Sequence, residues 1–237
     1  MPSIFVHPDY EALSEIAADL IAKRIQENPS LLLCLATGSS PTRAYELLAT
    51  RPKSLFDQVR ILKLDEWGGI PMDSPATCET YLRKILIDPL DLSSRYVAFQ
   101  SQPADPAAEC SRITSWLEEN GPIDLCILGL GINGHLGFNE PAAALQPRAH
   151  VATLSSESLQ HSMIEALPEK PTFGVTLGIE DILDSREIIL LVSGASKAEP
   201  LRRMLNGPVH TLFPASYLTK HQNTRILCDR AAAKQIS

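Results

Sequence analysis

A histidine and a carboxylate five residues apart, His135 and Glu140, lie in the stretch Leu128-Gly-Leu-Gly-Ile-Asn-Gly-His-Leu-Gly-Phe-Asn-Glu-Pro141. Glycines there let the backbone take positive φ and let a small molecule come close, so both side chains can be presented from a tight turn. An imidazole beside a carboxylate is suited to proton transfer, because the carboxylate orients the ring and fixes its tautomer. Two other clusters carry chemistry. Leu62-Lys-Leu-Asp65-Glu66-Trp67-Gly-Gly69 sets two adjacent carboxylates where an apolar strand gives way to a glycine loop. Side chains alternate along a strand, so one acid is expected to face a pocket and the other a cation or solvent. Asp65 is the expected base, since a carboxylate partly desolvated beside a like charge acquires a pKa fit for that work. Thr37-Gly-Ser-Ser-Pro41 joins a strand to a helix, with Ser40 as the expected N-cap and Pro41 at the first helical position. Its N–H groups, hydroxyls and helix N-terminus suit a phosphate monoester. The GxxxxGK[ST] pattern is absent, and no GxGxxG is paired with an acidic residue on the next strand, so a nucleotide is not indicated.

Each cluster alone has a plain structural reading: a turn histidine, two surface acids closing a strand, an ordinary capped helix. Their common placement at strand ends is what points to one pocket of small-molecule size. The spacing of apolar residues predicts helices over 8–27, 42–50, 78–87, 106–119, 197–205 and 214–220. Strands are predicted over 31–36, 59–64, 123–130, 173–177, 187–192 and 225–228. This alternation implies an α/β fold of three-layer, Rossmann-like form: a mostly parallel sheet with helices on both faces and right-handed crossovers. Ligands bind at the C-terminal ends of the strands in such sheets.

The 237 residues suit one domain spanning 1–237, with no Gly/Ser linker, repeat or low-complexity tract. A net charge of −7 with scattered basic residues argues against nucleic acid or an anionic membrane as partner. The start lacks a secretory signal pattern and no run reaches about 18 apolar residues, so a cytoplasmic protein is expected. Five cysteines without CxxC spacing suggest neither disulfides nor structural zinc.

The motifs Ala-Thr-Gly-Ser-Ser-Pro41, Lys-Leu-Asp-Glu-Trp67 and Leu-Gly-Leu-Gly-Ile-Asn-Gly-His-Leu-Gly-Phe-Asn-Glu-Pro141 resemble those of the glucosamine-6-phosphate deaminase/isomerase family, which also contains 6-phosphogluconolactonases. The resemblance covers nearly the whole chain. Phe138-Asn-Glu-Pro141 is similar to the aminosugar branch, where lactonases typically carry Gly-Asp-Gly-His-Thr-Ala. Leu64–Trp67, Thr77–Thr80, 124–131 and Leu145–Pro147 resemble bacterial galactosamine-6-phosphate isomerases in particular.

The resemblance implies conversion of galactosamine 6-phosphate to tagatose 6-phosphate and ammonia, with no metal or organic cofactor. The alternatives are glucosamine-6-phosphate deamination to fructose 6-phosphate, lactone hydrolysis, or a non-catalytic sugar-phosphate sensor. It further implies that Asp65 shuttles the C2/C1 proton, His135 acts at the ring oxygen, and Glu140 tunes His135 and helps with the ammonium. Thr37, Gly38, Ser39, Ser40 and Lys197 would hold the phosphate. Three departures stand out. Asn133 occupies a position where many deaminases carry Asp. No Arg falls in 158–164 to bind phosphate, which leaves His161 as its substitute. The cations of the allosteric site of hexameric relatives would fall near His150 and Ala152, which cannot supply them, so an unregulated monomer or small homo-oligomer is expected.

Overall fold

The apolar runs Leu32–Leu35, Leu125–Leu128 and Glu187–Val192 are buried on both faces, as strands of a parallel sheet between two helical layers must be. The computed structural model describes residues 2–236. In chain order its elements are β1 (Ser3–His7), α1 (Tyr10–Glu27), β2 (Leu32–Leu35), α2 (Ser39–Ala49), β3 (Arg60–Lys63) and β4 (Asp65–Gly68). Next come α3 (Cys78–Leu82), β5 (Tyr96–Val97), α4 (Pro106–Asn120), β6 (Leu125–Gly129), β7 (His150–Ala152) and β8 (Phe173–Thr176). Then follow α5 (Ile179–Leu183), β9 (Glu187–Val192), α6 (Ala198–Asn206) and β10 (Thr224–Asp229).

Seven strands form a wholly parallel sheet in the order β1-β10-β9-β6-β2-β3-β5. Its two faces are read directly from side-chain alternation. Leu32, Cys34, Cys126, Leu128, Ile188 and Leu190 pack with α4, α5 and α6. Leu33, Leu35, Leu125, Ile127, Ile189 and Leu191 pack with α1, α2 and the turn after α3. The chain leaves β2 toward β3 on one side, while β6 flanks β2 on the other, so the crevice between the C-terminal ends of β2 and β6 is a topological switch point.

A second sheet of three antiparallel strands, β4-β8-β7, was not anticipated. The stretch read as a strand end followed by a glycine loop is instead β4. Only glycine fits at position 68, because a Cβ there would lie 2.1 Å from the Phe173 ring of β8. The small strands β1, β5 and β7 and the short helix α5 were likewise unassigned in the sequence reading, being too short for periodicity to register. Two boundaries also change. Helix α2 starts at Ser39, with Gly38 (φ 111°) as its N-cap, so Ser40 does not cap it. Residues 214–220 form a 3₁₀ rather than an α-helix. Among the described residues no helix is long and apolar enough to cross a membrane.

Candidate active site

The turn after β2 leaves the N-terminus of α2 open. Gly38 (φ 111°) supplies no side-chain cap, so the first turn of α2 is left without one where Gly38, Ser39 and Ser40 line the crevice. Thr37 Oγ1 donates to Cys78 Sγ at 3.2 Å. Ser40 Oγ lies 3.1 Å from Ser193 Oγ, tying this turn to the one after β9. That second turn carries Lys197. Burial holds the Lys197 ammonium below its ordinary pKa, and no carboxylate offsets it among the described residues. A half-buried cation without a partner, beside an open helix N-terminus, is a site waiting for an anion.

Asp65 stands at the start of β4, 8% exposed, and its Oδ1 has no hydrogen-bond partner among the described residues. Desolvation, aided by the neighbouring Glu66 charge and opposed by Lys63, pushes its carboxyl up to about 7. Glu66 points the other way. It accepts from Lys63 Nζ at 2.6 Å and from the N–H groups of Cys78 and Glu79 at 2.9 Å each, pinning the N-terminus of α3 to β4. Lys63 also reaches Glu79 at 3.0 Å, and Tyr96 closes the cluster by donating to Glu79 at 2.9 Å.

The glycine turn after β6 presents His135. Gly131 N–H donates to His135 O at 3.1 Å, and a Cβ on Gly131 would meet the imidazole at 2.4 Å, so only glycine lets the ring sit there. Gly137 (φ 56°) passes close to Asp65: a Cβ there would lie 3.4 Å from Asp65 Oδ2 and 2.7 Å from Thr176 Oγ1. Behind the ring, Glu140 Oε2 is 3.5 Å from His135 Nδ1, close enough for attraction although that nitrogen forms no hydrogen bond among the described residues. Burial disfavours the Glu140 anion. The His135 ring and the donors on Ser158 and Asn133 outweigh burial and hold the carboxyl at about 2. Asn133 Nδ2 donates to Glu140 Oε2 at 2.9 Å, while its Oδ1 accepts the His135 N–H at 3.1 Å.

These groups meet in one cavity of about 400 Å³, within the range of small-molecule sites. Of the residues expected from sequence, Thr37, Gly38, Ser39, Ser40, Asp65, His135, His161 and Lys197 line it. Glu140 and Asn133 do not. They stand behind His135, so Glu140 is placed to steady the imidazole and not to touch a bound ligand. His161 packs against Trp67, ring centroids 5.9 Å apart, and its Nδ1 accepts the Met163 N–H at 3.2 Å. Burial, with His135 and Lys197 nearby, holds its pKa below the usual value. The resemblance had drawn attention to segment 158–164 but singled out His161 alone; Glu157, Ser158, Gln160, Ser162 and Met163 line the cavity beside it. They lie in a polar segment without periodicity, so the residue pattern alone does not say which of them face the cavity.

Three comparisons bear on this arrangement. The family described as glucosamine-6-phosphate isomerases/6-phosphogluconolactonase matches residues 9–227. An Escherichia coli K12 protein provisionally named the deaminase AgaI is 40% identical over 219 residues, 91% of this chain and 87% of that one. Glucosamine-6-phosphate deaminase 1 of Bacillus subtilis strain 168 is 37% identical over 233 residues, 94% of this chain and 95% of its own. Among solved structures, a monomeric glucosamine-6-phosphate deaminase of the NagB superfamily superposes with a TM-score of 0.93 at 35% identity, covering 98% of this chain and 99% of that one. A 6-phosphogluconolactonase of Trypanosoma brucei superposes at 0.79 with 22% identity, covering 100% and 99%, which shows a shared fold.

Proposed function

The chain belongs to the family of glucosamine-6-phosphate isomerases and 6-phosphogluconolactonases, and from that premise we propose that it is a cytoplasmic aminosugar-phosphate deaminase/isomerase. The substrate is galactosamine 6-phosphate and the products are tagatose 6-phosphate and ammonia. It works as a monomer or small oligomer without metal or organic cofactor. The observation that carries the reading is the cavity itself: a half-buried lysine with no carboxylate partner among the described residues and a helix N-terminus without a side-chain cap line it together with His135 and a carboxylate whose pKa is near neutrality.

In this mechanism the α2 N-terminus, Thr37–Ser40, Lys197 and His161 hold the phosphate and so fix the sugar relative to Asp65. His135 transfers a proton at the ring oxygen as the ring opens, and Glu140 keeps the imidazole in place. Asp65 takes the C2 proton and returns it to C1 while a proton of the amino group passes to O1, leaving a ketose imine at C2. Water adds to that carbon, and the carbinolamine collapses with loss of ammonia. A base near pKa 7 is matched to this work at neutral pH, being substantially ionised yet still basic. The galacto substrate is supported by the resemblance of Leu64–Trp67, Thr77–Thr80 and Leu145–Pro147 to galactosamine-6-phosphate isomerases. Glucosamine 6-phosphate is the second reading, favoured by the relatives that carry that name.

Ammonia release from the two sugars offered in parallel tests this. A higher kcat/KM for galactosamine 6-phosphate is expected. Preference for the gluco sugar overturns the substrate and keeps the chemistry, and silence with both overturns the deaminase reading. A second test addresses the turn: Gly131→Ala should lower kcat by about tenfold or more, because the displaced imidazole no longer meets the ring oxygen. An unchanged kcat would mean that His135 need not occupy its present position.

A further inference from the structure

Glu140 divides its two oxygens between two parts of the protein. Oε2 faces the catalytic turn, accepting from Asn133 and lying beside His135. Oε1 faces the segment 155–163, accepting from Ser155 Oγ at 3.1 Å and from Ser158 Oγ. That segment walls the cavity with Glu157, Ser158, Gln160, His161, Ser162 and Met163. Its internal bonds begin from the same anchor: Ser158 N–H donates to Ser155 Oγ at 3.0 Å, Leu159 N–H to Ser155 O at 3.0 Å, and His161 N–H to Ser158 O at 3.0 Å. Ser158 is 3% exposed, whereas five residues nearby in the sequence, Ser156, Glu157, Gln160, Ser162 and Glu165, are exposed. Apart from Glu140 the segment is held through apolar packing, His161 against the Trp67 ring and Met163 against the cluster around Ile164, so Glu140 is its charged anchor.

We propose that Glu140 latches segment 155–163 over the cavity through Ser155 and Ser158, coupling the wall that carries His161 to the turn that carries His135. Ser155, which does not line the cavity, is then a positioning residue for ligand binding. The coupling follows from a single carboxylate serving both sides: its anion orders the binding wall on one oxygen while the other steadies the catalytic histidine. A hydrogen bond to a charged group contributes more than one between neutral groups, so its loss should be visible in binding. The proposal rests on the deaminase reading only for its kinetic readout.

Three substitutions at Ser155 separate a latch from an ordinary turn. Ser155→Ala removes the donor to Glu140 and the acceptor for Ser158 N–H. Ser155→Asp keeps an acceptor for that N–H but sets a like charge against Glu140. Ser155→Thr keeps both roles. Hydrogen exchange of the amides of residues 158–161 and the inhibition constant of inorganic phosphate are measured for each, with KM and kcat for the aminosugar phosphate. Ser155→Ala and Ser155→Asp should speed exchange and raise KM and the phosphate inhibition constant by about tenfold, with kcat changed much less, and Ser155→Thr should behave as wild type. Wild-type exchange and phosphate binding in Ser155→Asp would overturn the latch and leave Ser155 as a turn residue. A fall in kcat with unchanged KM would overturn the coupling to binding. If the wild-type protein releases no ammonia, the functional reading fails, while the exchange measurement still decides the latch.

Discussion

Asp65→Asn should lower ammonia release by about a thousandfold or more while making the protein more stable at pH 8. The loss of turnover follows because an amide of the same shape cannot take the C2 proton. The gain in stability follows from the same burial that makes Asp65 a base. Desolvation and the Glu66 charge raise the folded-state pKa from 3.8 to about 7, so the folded protein binds a proton there more tightly than the unfolded chain does. The contribution of the protonated carboxyl is fully present below the unfolded value and is lost as pH rises from about 4 through about 7. Above that window the native protein carries a buried anion, whose penalty can reach about 4 kcal/mol from the difference between the two pKa values. Urea unfolding of wild type and Asp65→Asn should therefore nearly coincide at pH 4 and separate at pH 8 in favour of the variant. Near-normal turnover would remove Asp65 from the mechanism, and a stability difference independent of pH would refute the raised pKa.

Lys63→Met should destabilise the protein by about 3–5 kcal/mol at pH 7, the cost of leaving buried charge without its partner. Lys63 and Glu66 are fully buried and Glu79 nearly so, with the ammonium 2.6 and 3.0 Å from the two carboxylates. Burial opposes the charged lysine, yet Glu66 and Glu79 together hold its pKa above the usual value. Methionine fills the volume but leaves two carboxylates facing each other. Lowering the pH should narrow the gap to wild type, because protonation removes the uncompensated charge. Adding Glu66→Gln and Glu79→Gln should recover part of the loss at pH 7. A loss below about 1 kcal/mol would mean that water reaches the cluster and screens it, as at an exposed ion pair. The substitution also removes a positive charge that lowers the Asp65 pKa, so the acid limb of the activity profile should move to higher pH.

Much of the fold is legible in the chain because its central strands are almost entirely apolar, interrupted only near their starts by Asp124 and Glu187, and bounded by turn residues. Leu31–Ala36, Ile123–Leu130 and Glu187–Val192 read as strands covered on both faces, and helical spacing before, between and after them supplies the covering layers, except over 131–186, where only the strand 173–177 was expected. The groups with the capacity for chemistry were legible for a related reason. Glycines, hydroxyls and acids at the ends of apolar strands stand where a parallel sheet opens its crevice. Alternation further anticipated that Asp65 and Glu66 would face opposite ways, as they do across β4.

What local pattern could not supply is everything that depends on distant segments meeting. The antiparallel sheet β4-β8-β7 pairs β4 with β8 more than a hundred positions away; β8 was legible as a strand, but nothing local marked β4 or β7 as its partners. The wall from Glu157 to Met163 holds only a 3₁₀ turn at Ser158–Gln160, and its place beside the cavity depends on Ser155 and Ser158 meeting Glu140. Likewise, sequence supplies Lys63, Asp65, Glu66 and Glu79, but only their common burial turns one into a near-neutral base and the others into a fixed ion cluster. The sequence by itself determined the layered sheet and the chemical groups at its strand ends. The tertiary structure decided their distances and desolvation, and therefore which carboxylate can move a proton at neutral pH.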